Sequence, residues 1–392
     1  MSAAGDALAD AAIEVRSLRA QVYRAPVAAP VVTSFGTMRD RPMVLVRVED
    51  RDGAVGWGEI WCNYPSVGPE YRARLVDGVL AGLVEGRRFA GPAAAFAGLT
   101  EATAVLALQS GEAGPFAQCI AGIDIALWDL AARRAGTPLW QLLGGKAPGT
   151  AAPSVPVYAS GLNPDAPAAL AAACRAAGHR AFKLKVGFGA ARDRANLADL
   201  RAELGEAATL MADANQAWSL DDALAQAPAL ERFGLRWLEE PLRADRPWAE
   251  WRALASGLAV PLAAGENVAG EAGFGAAVAS GALGVVQPDV AKWGGLSRTL
   301  PVARAIAAAG LLYCPHWLGG GVGLLASAHL LAAVGNPDAP GALEVDANPN
   351  PLRTLTCGPL ARVADGRAAL PAEPGLGPAP DEAALRPFRV PH

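Results

Sequence analysis

Ala181-Phe182-Lys183-Leu184-Lys185-Val186-Gly187 is a short run of strand-forming residues closed by a glycine. Side chains alternate across a strand, so Lys183 and Lys185 project to one side while Phe182, Leu184 and Val186 face the other. Two ammonium groups held side by side repel unless something anionic stands before them, and each lowers the pKa of the other. Alone, the heptapeptide reads equally as a solvated strand edge carrying two lysines. Its surroundings have to decide.

Downstream of the proline-rich stretch Pro153 to Pro156, short apolar strands alternate with alanine-rich helices at intervals of about 25 residues. Strands are expected to begin near Val155, Ala181, Thr209, Leu235, Pro261, Val285, Leu311 and Leu343. Eight such units predict an α/β fold, a (β/α)8 TIM-type barrel over 151–349, with a doubly wound open sheet as the competing arrangement. Upstream, residues from Ile13 to Val48 alternate as strands do, and Asp52-Gly53 supplies a hairpin turn into Val55-Gly56-Trp57-Gly58-Glu59. Loops are expected at Val32 to Met38 and Trp61 to Gly68. From Tyr71 to about Leu143 the period becomes helical, best seen over Ala121 to Ala131. Residues 1–150 thus read as an α+β capping domain, completed by the Pro- and Gly-rich residues from about 350 to 392.

Composition narrows the function classes. The 392-residue chain is 52% hydrophobic and 18% charged, with a net charge of -4, which favours a large core and gives no basic surface for nucleic acid. Its alanine-rich runs are broken by charges or proline before reaching membrane-spanning length. Met1 to Ala12 carries acids and no basic segment, unlike a secretory signal. Five scattered cysteines without a CxxC pair fit a reduced, cytoplasmic protein.

Enzymes built on such barrels carry their chemistry at the carboxyl ends of the strands. Those ends read Lys183 and Lys185; Asp213; the pair Glu239-Glu240 before Pro241; Glu266; Asp289; His316; and Glu344. A single carboxylate there would be a helix N-cap. Three on successive strands, Asp213, Glu239 and Glu266, would converge hard oxygen ligands suited to Mg2+, and without a cation at least one would stay protonated. Glu240 must point away from Glu239, as a supporting or structural acid.

Taken in order, Lys183-Leu184-Lys185, Asp213-Ala214-Asn215, Glu239-Glu240-Pro241, Gly265-Glu266-Asn267, Pro288-Asp289 through Lys292 to Gly294-Gly295, His316 and Glu344 resemble the enolase superfamily, in its mandelate racemase-like branch. The likeness spans nearly the whole chain. It implies Mg2+ on Asp213, Glu239 and Glu266, a base at Lys185, an Asp289–His316 dyad across the barrel, and a carboxyl donor at Glu344. A proton next to a carboxylate is very weakly acidic, because its removal puts two negative charges on one enediolate; a divalent cation stabilises that charge where it develops. Lys183 is expected to contact the substrate carboxylate and to depress the pKa of Lys185 towards that of a useful base. Asp289 would hold the His316 ring in one tautomer.

Phe35, Trp61, Asn63 and Tyr64 fall on first-domain loops that act as a lid in this family, and with Trp317 they predict a partly aromatic pocket suited to a less polar acid; Asn215 joins them beside Asp213. Gly319-Gly320-Gly321 has no GK[ST] after it and reads as a flexible βα loop. His179 and His329 read as structural, and Lys292 as a salt-bridge partner with Asp289 as its candidate mate. The expected activity is Mg2+-dependent removal of the α-proton of a small-molecule carboxylate, giving racemisation or epimerisation of a 2-hydroxy or related acid. The alternative is dehydration of a sugar acid or other β-hydroxy acid; a remoter one is a barrel that binds carboxylates without turnover. Barrels of this family commonly form symmetric oligomers, so a homo-oligomer is expected.

Overall fold

A computed structural model describes residues 12–144, 151–335 and 340–392; of the stretch Met1 to Ala12, all but the last residue lies outside the described residues. Strands β1 (Ile13–Thr33) and β2 (Gly36–Asp50) form one long antiparallel hairpin that continues into β3 (Val55–Ile60). The Asp52-Gly53 turn is present: Gly53 has φ 85° and donates to the Asp50 carbonyl, while the Asp50 carboxylate accepts from the amides of Asp52 and Ala54. The loop expected over Val32 to Met38 is instead paired strand. Its register runs Val31 with Met38, Val32 with Thr37 and Thr33 with Gly36, leaving Ser34 and Phe35 as a two-residue tip. The β-branched Val31, Val32 and Thr33 suit a ladder better than a loop.

Helix α1 (Pro92–Ser110) packs on helix α2 (Ala113–Arg134), which covers the sheet. α2 lies against β3 so closely that a Cβ at Gly58 would stand 2.0 Å from the Gly122 carbonyl oxygen, which leaves glycine as the residue that fits. By length and apolar composition α2 could cross a membrane, but 89% of its most apolar window is buried inside the protein.

The barrel strands are β4 (Ser154–Leu162), β5 (Ala181–Lys185), β6 (Thr209–Asp213), β7 (Leu235–Glu239), β8 (Leu262–Ala264), β9 (Leu283–Val286), β10 (Leu312–Tyr313) and β11 (Leu343–Asp346). They pair in parallel from β4 through β10, and β11 pairs with β4. Among the described residues the β10–β11 seam has no ladder; the Ala342 amide there donates to Cys314 Sγ at 3.4 Å. Pro315, which cannot donate, helps explain why β10 is short.

Alternation divides each strand's duties. Phe182 and Leu184 face the surrounding helices within the main core. The barrel interior holds a separate plug of Tyr158, Met211, Trp237, Ala263, Val285, Cys314 and Ala342, with Tyr158 and Trp237 edge to face at 5.4 Å. Register then builds the layer of chemistry on that plug: Lys183 pairs across from Met211, Lys185 from Asp213, and Asp213 from Glu239. The C-terminal segment serves both modules. β12 (Val363–Ala364) and β13 (Arg367–Ala369) form a hairpin on the start of β4, whereas from Gly375 onward the chain runs along α2, and β14 (Arg389–Val390) pairs with β1.

Candidate active site

At the carboxyl ends of the barrel strands the expected ionisable residues form one connected cluster. Lys183 Nζ lies 2.6 and 2.7 Å from the two oxygens of Glu239 and 2.7 Å from Glu344 Oε1. Lys185 Nζ donates to Asp213 Oδ2 at 2.6 Å. His316 Nδ1 meets Asp289 Oδ2 at 2.7 Å, and its Nε2 lies 2.6 Å from Glu266 Oε2 and 3.8 Å from Glu344 Oε2. Glu344 also accepts from Ser160 Oγ and, at 3.1 Å, from the Trp317 amide.

The electrostatics follow from burial set against these partners. Burial opposes a charged His316, but Glu266, Glu344 and the hydrogen bonds to Asp289 and Glu266 outweigh it and hold the imidazolium well above the usual histidine range. Burial also acts against Lys185, yet Asp213 leaves its pKa raised although Lys183 pulls it down. The expectation of a net depressed Lys185 is therefore corrected in this arrangement, because the attraction of Asp213 outweighs the repulsion of Lys183. Lys183 is corrected too. It has no exposed surface and does not line the cavity; it is the counter-ion of Glu239 and Glu344. Glu344 is not a neutral donor: burial raises its pKa, but Lys183, His316 and Ser160 bring it down to about 2. Burial pushes Glu239 up to about 7, with Lys183 working against that rise. Glu240, buried close to Glu266, is driven well above the carboxylate range while Asn267 Nδ2 reaches both its oxygens at 3.0 Å.

A cavity of about 180 Å3 opens onto this cluster and is lined by Lys185, Glu266, Lys292 and His316. Phe35, Trp61, Asn63, Tyr64 and Asn215 line it, as expected. Phe35 at the hairpin tip is 59% exposed and sits edge-on to Tyr64 at 5.1 Å. Trp317 is the exception. It is 1% exposed, packs into the main core and donates from Nε1 to the Gly320 carbonyl at 2.7 Å. The glycine run beside it is also corrected. A Cβ would stand 2.4 Å from the Trp317 ring at Gly319 and 2.3 Å from Met43 Sδ at Gly320, so the run is tightly packed backbone.

Residues not singled out from sequence complete the wall: Thr33, Gln216, Asn267 and Leu318. Gln216 follows Asn215 directly, and both adopt left-handed backbone, φ 65° and 44°, as does Glu240 at φ 38°. Such strain in non-glycine residues gathers at functional sites, but single-residue chemistry gives no sign of it in sequence. Lys292 donates to Asn267 Oδ1 at 2.9 Å, lies 3.5 Å from Glu266 and stands over the Trp61 ring at 4.6 Å; its expected partner was Asp289.

Six carboxyl groups (Asp213, Glu239, Glu240, Glu266, Asp289, Glu344) face four basic groups (Lys183, Lys185, Lys292, His316), a formal excess of negative charge. Among the described residues no three His, Cys, Asp or Glu side chains are already drawn together as a metal cage. Each of the three candidate carboxylates instead holds an internal cation. Their all-oxygen character fits a hard divalent ion.

Comparison with known proteins agrees with this geometry. Residues 14–144 match the mandelate racemase / muconate lactonizing enzyme N-terminal domain, and residues 166–384 the enolase C-terminal domain-like family. A crystal structure of a mandelate racemase/muconate lactonizing enzyme from Bordetella bronchiseptica RB50 superposes with a TM-score of 0.90 at 57% identity, covering 96% of this chain and 100% of that one. A racemase from Streptomyces coelicolor A3(2) with bound magnesium gives 0.84 at 31% identity, covering 96% and 100%. Among curated proteins, the 3,6-anhydro-alpha-L-galactonate cycloisomerase of Streptomyces coelicolor is 34% identical over 370 residues, 93% of this chain and 96% of that protein. Other curated relatives include a sugar-acid cycloisomerase, sugar-acid dehydratases and a muconate cycloisomerase. The chain is thus an enzyme of the isomerase or lyase kind, and it belongs to the mandelate racemase/muconate lactonizing enzyme family of the enolase superfamily.

Proposed function

We propose that the protein removes the α-proton of a hydroxylated, sugar-derived carboxylate and expels the oxygen on the β-carbon. The observation that carries this reading is the cavity itself. It places Lys185 and His316 on one substrate space whose wall includes the polar side chains of Asn63, Asn215, Gln216 and Asn267. A wall with several amide side chains suits hydroxyl groups on the ligand. This replaces the less polar acid expected from an aromatic wall, a wall that Trp317 does not join.

Asp213, Glu239 and Glu266 are the residues that would hold Mg2+, which as a Lewis acid would favour charge building up on the substrate carboxylate. Lys185 keeps its proton because Asp213 is free to pair with it. Once Asp213 is committed as a ligand, burial and Lys183 remain to lower the pKa of Lys185 towards that of a base. His316, oriented by Asp289 and facing the Glu344 carboxylate, is the acid for the departing β-oxygen. If that oxygen belongs to a ring, elimination opens the ring and the product is an isomer; if it is a free hydroxyl, water leaves. One active site thereby accounts for both cycloisomerases and dehydratases among the relatives.

The same acid–base pair supports a second reading, racemisation or epimerisation, in which His316 returns a proton to the α-carbon. Proton NMR in heavy water with MgCl2, over a panel of sugar acids, their lactones and anhydro derivatives, separates the two. Elimination gives a 2-oxo-3-deoxy acid; racemisation gives the deuterated epimer and no oxo acid. Absence of both exchange and product across the panel would sink the proposal.

A further inference from the structure

We infer that Glu59, in the first module, is a positioning residue for His316 and Glu344, acting through the backbone between β10 and helix α4 (Gly321–Val334); this rests on the proton-transfer role given to His316 above. Glu59, the penultimate residue of β3, is 1% exposed and does not line the cavity. Both of its oxygens are given to the barrel: Oε1 accepts the Gly320 amide at 2.5 Å and Oε2 the Gly323 amide at 2.9 Å. These are free N–H groups at the start of α4, where the helix dipole favours an anion.

From Gly320 the contacts lead back into the site. The Gly320 carbonyl accepts Trp317 Nε1–H at 2.7 Å, and the Trp317 amide donates to Glu344 Oε2 at 3.1 Å. Trp317 directly follows His316, and Glu344 is the carboxylate shared by Lys183 and His316. Asn63, on the loop after β3, adds a hydrogen bond to the Leu318 carbonyl. At Gly320 a Cβ would lie 2.6 Å from Glu59 Oε1, so this approach requires glycine.

A neutral side chain could fill the module boundary without the desolvation that pushes the Glu59 carboxyl up to about 7, against the opposing Gly323, Gly320 and Val322 amides. The same device recurs one unit earlier. Asp124 on α2 accepts from the Leu296 and Ser297 amides at 2.7 and 2.9 Å at the start of helix α3 (Gly295–Ala308), in the unit that carries Asp289. Carboxylates of the first module therefore grip both βα units that supply the Asp289–His316 pair.

Glu59→Gln in the full chain tests this. With only four histidines in the chain, ring nitrogen signals in 15N-histidine protein are assignable, His316 by its loss in His316→Asn. The His316 signals should move in Glu59→Gln while those of His179, His329 and His392 stay. Turnover by elimination, for which His316 supplies the proton, should fall about tenfold to a hundredfold in kcat, with α-proton exchange through Lys185 and KM within about twofold. Gly320→Ala, which forces the loop from Glu59, should reproduce the effect and serves if Glu59→Gln does not fold. Asp129→Asn, removing a buried carboxylate that holds the Trp57 and Leu376 amides, should lower stability yet leave His316 unmoved. Unchanged His316 signals in Glu59→Gln, or an equal loss of turnover and of exchange through Lys185, would overturn the inference. If wild-type protein exchanges no proton from any substrate, the functional reading fails, and the ring signals still decide the role of Glu59.

Discussion

Lys183 shows how far a residue's role depends on its neighbours. Its ammonium is fully buried, lies 5.4 Å above the Tyr158 ring and is shared between Glu239 and Glu344. A cation so placed matters chiefly for what its removal would strand. In Lys183→Met, two buried carboxylates would lose their counter-ion, and breaking a buried pair in this way costs about 3–5 kcal/mol. Urea unfolding in the presence of chelator should show a loss of that order, whereas a loss below about 1 kcal/mol would mean the pair is well hydrated. Asp213 and Glu239 are coupled to the lysines in the same way. The site's charges form one connected unit.

At the scale of elements, the β1–β2 hairpin is what brings the first module to the substrate. Its tip is tied down by Ser34 Oγ, which donates to the Asn215 carbonyl at 2.8 Å, and by the Val32 amide, which donates to Asn163 Oδ1 at 3.2 Å. Asn215 itself lines the cavity in strained backbone, so the lid is fastened to the residue best placed to read the ligand. Ser34→Ala removes one hydrogen bond of about 0.5–1.5 kcal/mol. KM should rise about threefold to tenfold with little change in kcat, and amide exchange over 32–38 should quicken. An unchanged KM would show that the tip is held by Phe35 and Tyr64 packing alone.

For the molecule as a whole, His329 supplies the clearest pH dependence. It sits within α4, where Nδ1 accepts the Trp140 amide at 2.9 Å and Nε2 lies 3.3 Å from the Leu376 carbonyl. That contact joins α4 to the end of the first module and to the C-terminal segment. A second ring proton would point at the Trp140 N–H, and burial lowers the pKa to about 3 against the ordinary 6.5. The folded value is the depressed one. Its contribution is therefore complete above the unfolded pKa and is lost as pH falls from about 6.5 towards 3, roughly 2 kcal/mol by about pH 5. Urea midpoints for wild type and His329→Gln should converge across that interval. Parallel curves would show that other groups govern acid sensitivity.

The sequence by itself determined the alternation of strands and helices from Val155 to Leu343 and the order of polar residues at the strand ends. Those are properties of spacing, and the period-two alternation of a strand puts Lys183 and Lys185, or Met211 and Asp213, on one face whatever surrounds them. Only the tertiary structure decided which ammonium meets which carboxylate. Distances between strands set that, and a few ångströms made Lys183 an internal counter-ion and Glu344 an anion. It also turned Trp317 into the core, because Gly319 and Gly323 leave room for the ring on that side alone. The paired hairpin at Val31 to Met38 and the grip of Glu59 on α4 join residues far apart in the chain, and local pattern carries no record of such contacts.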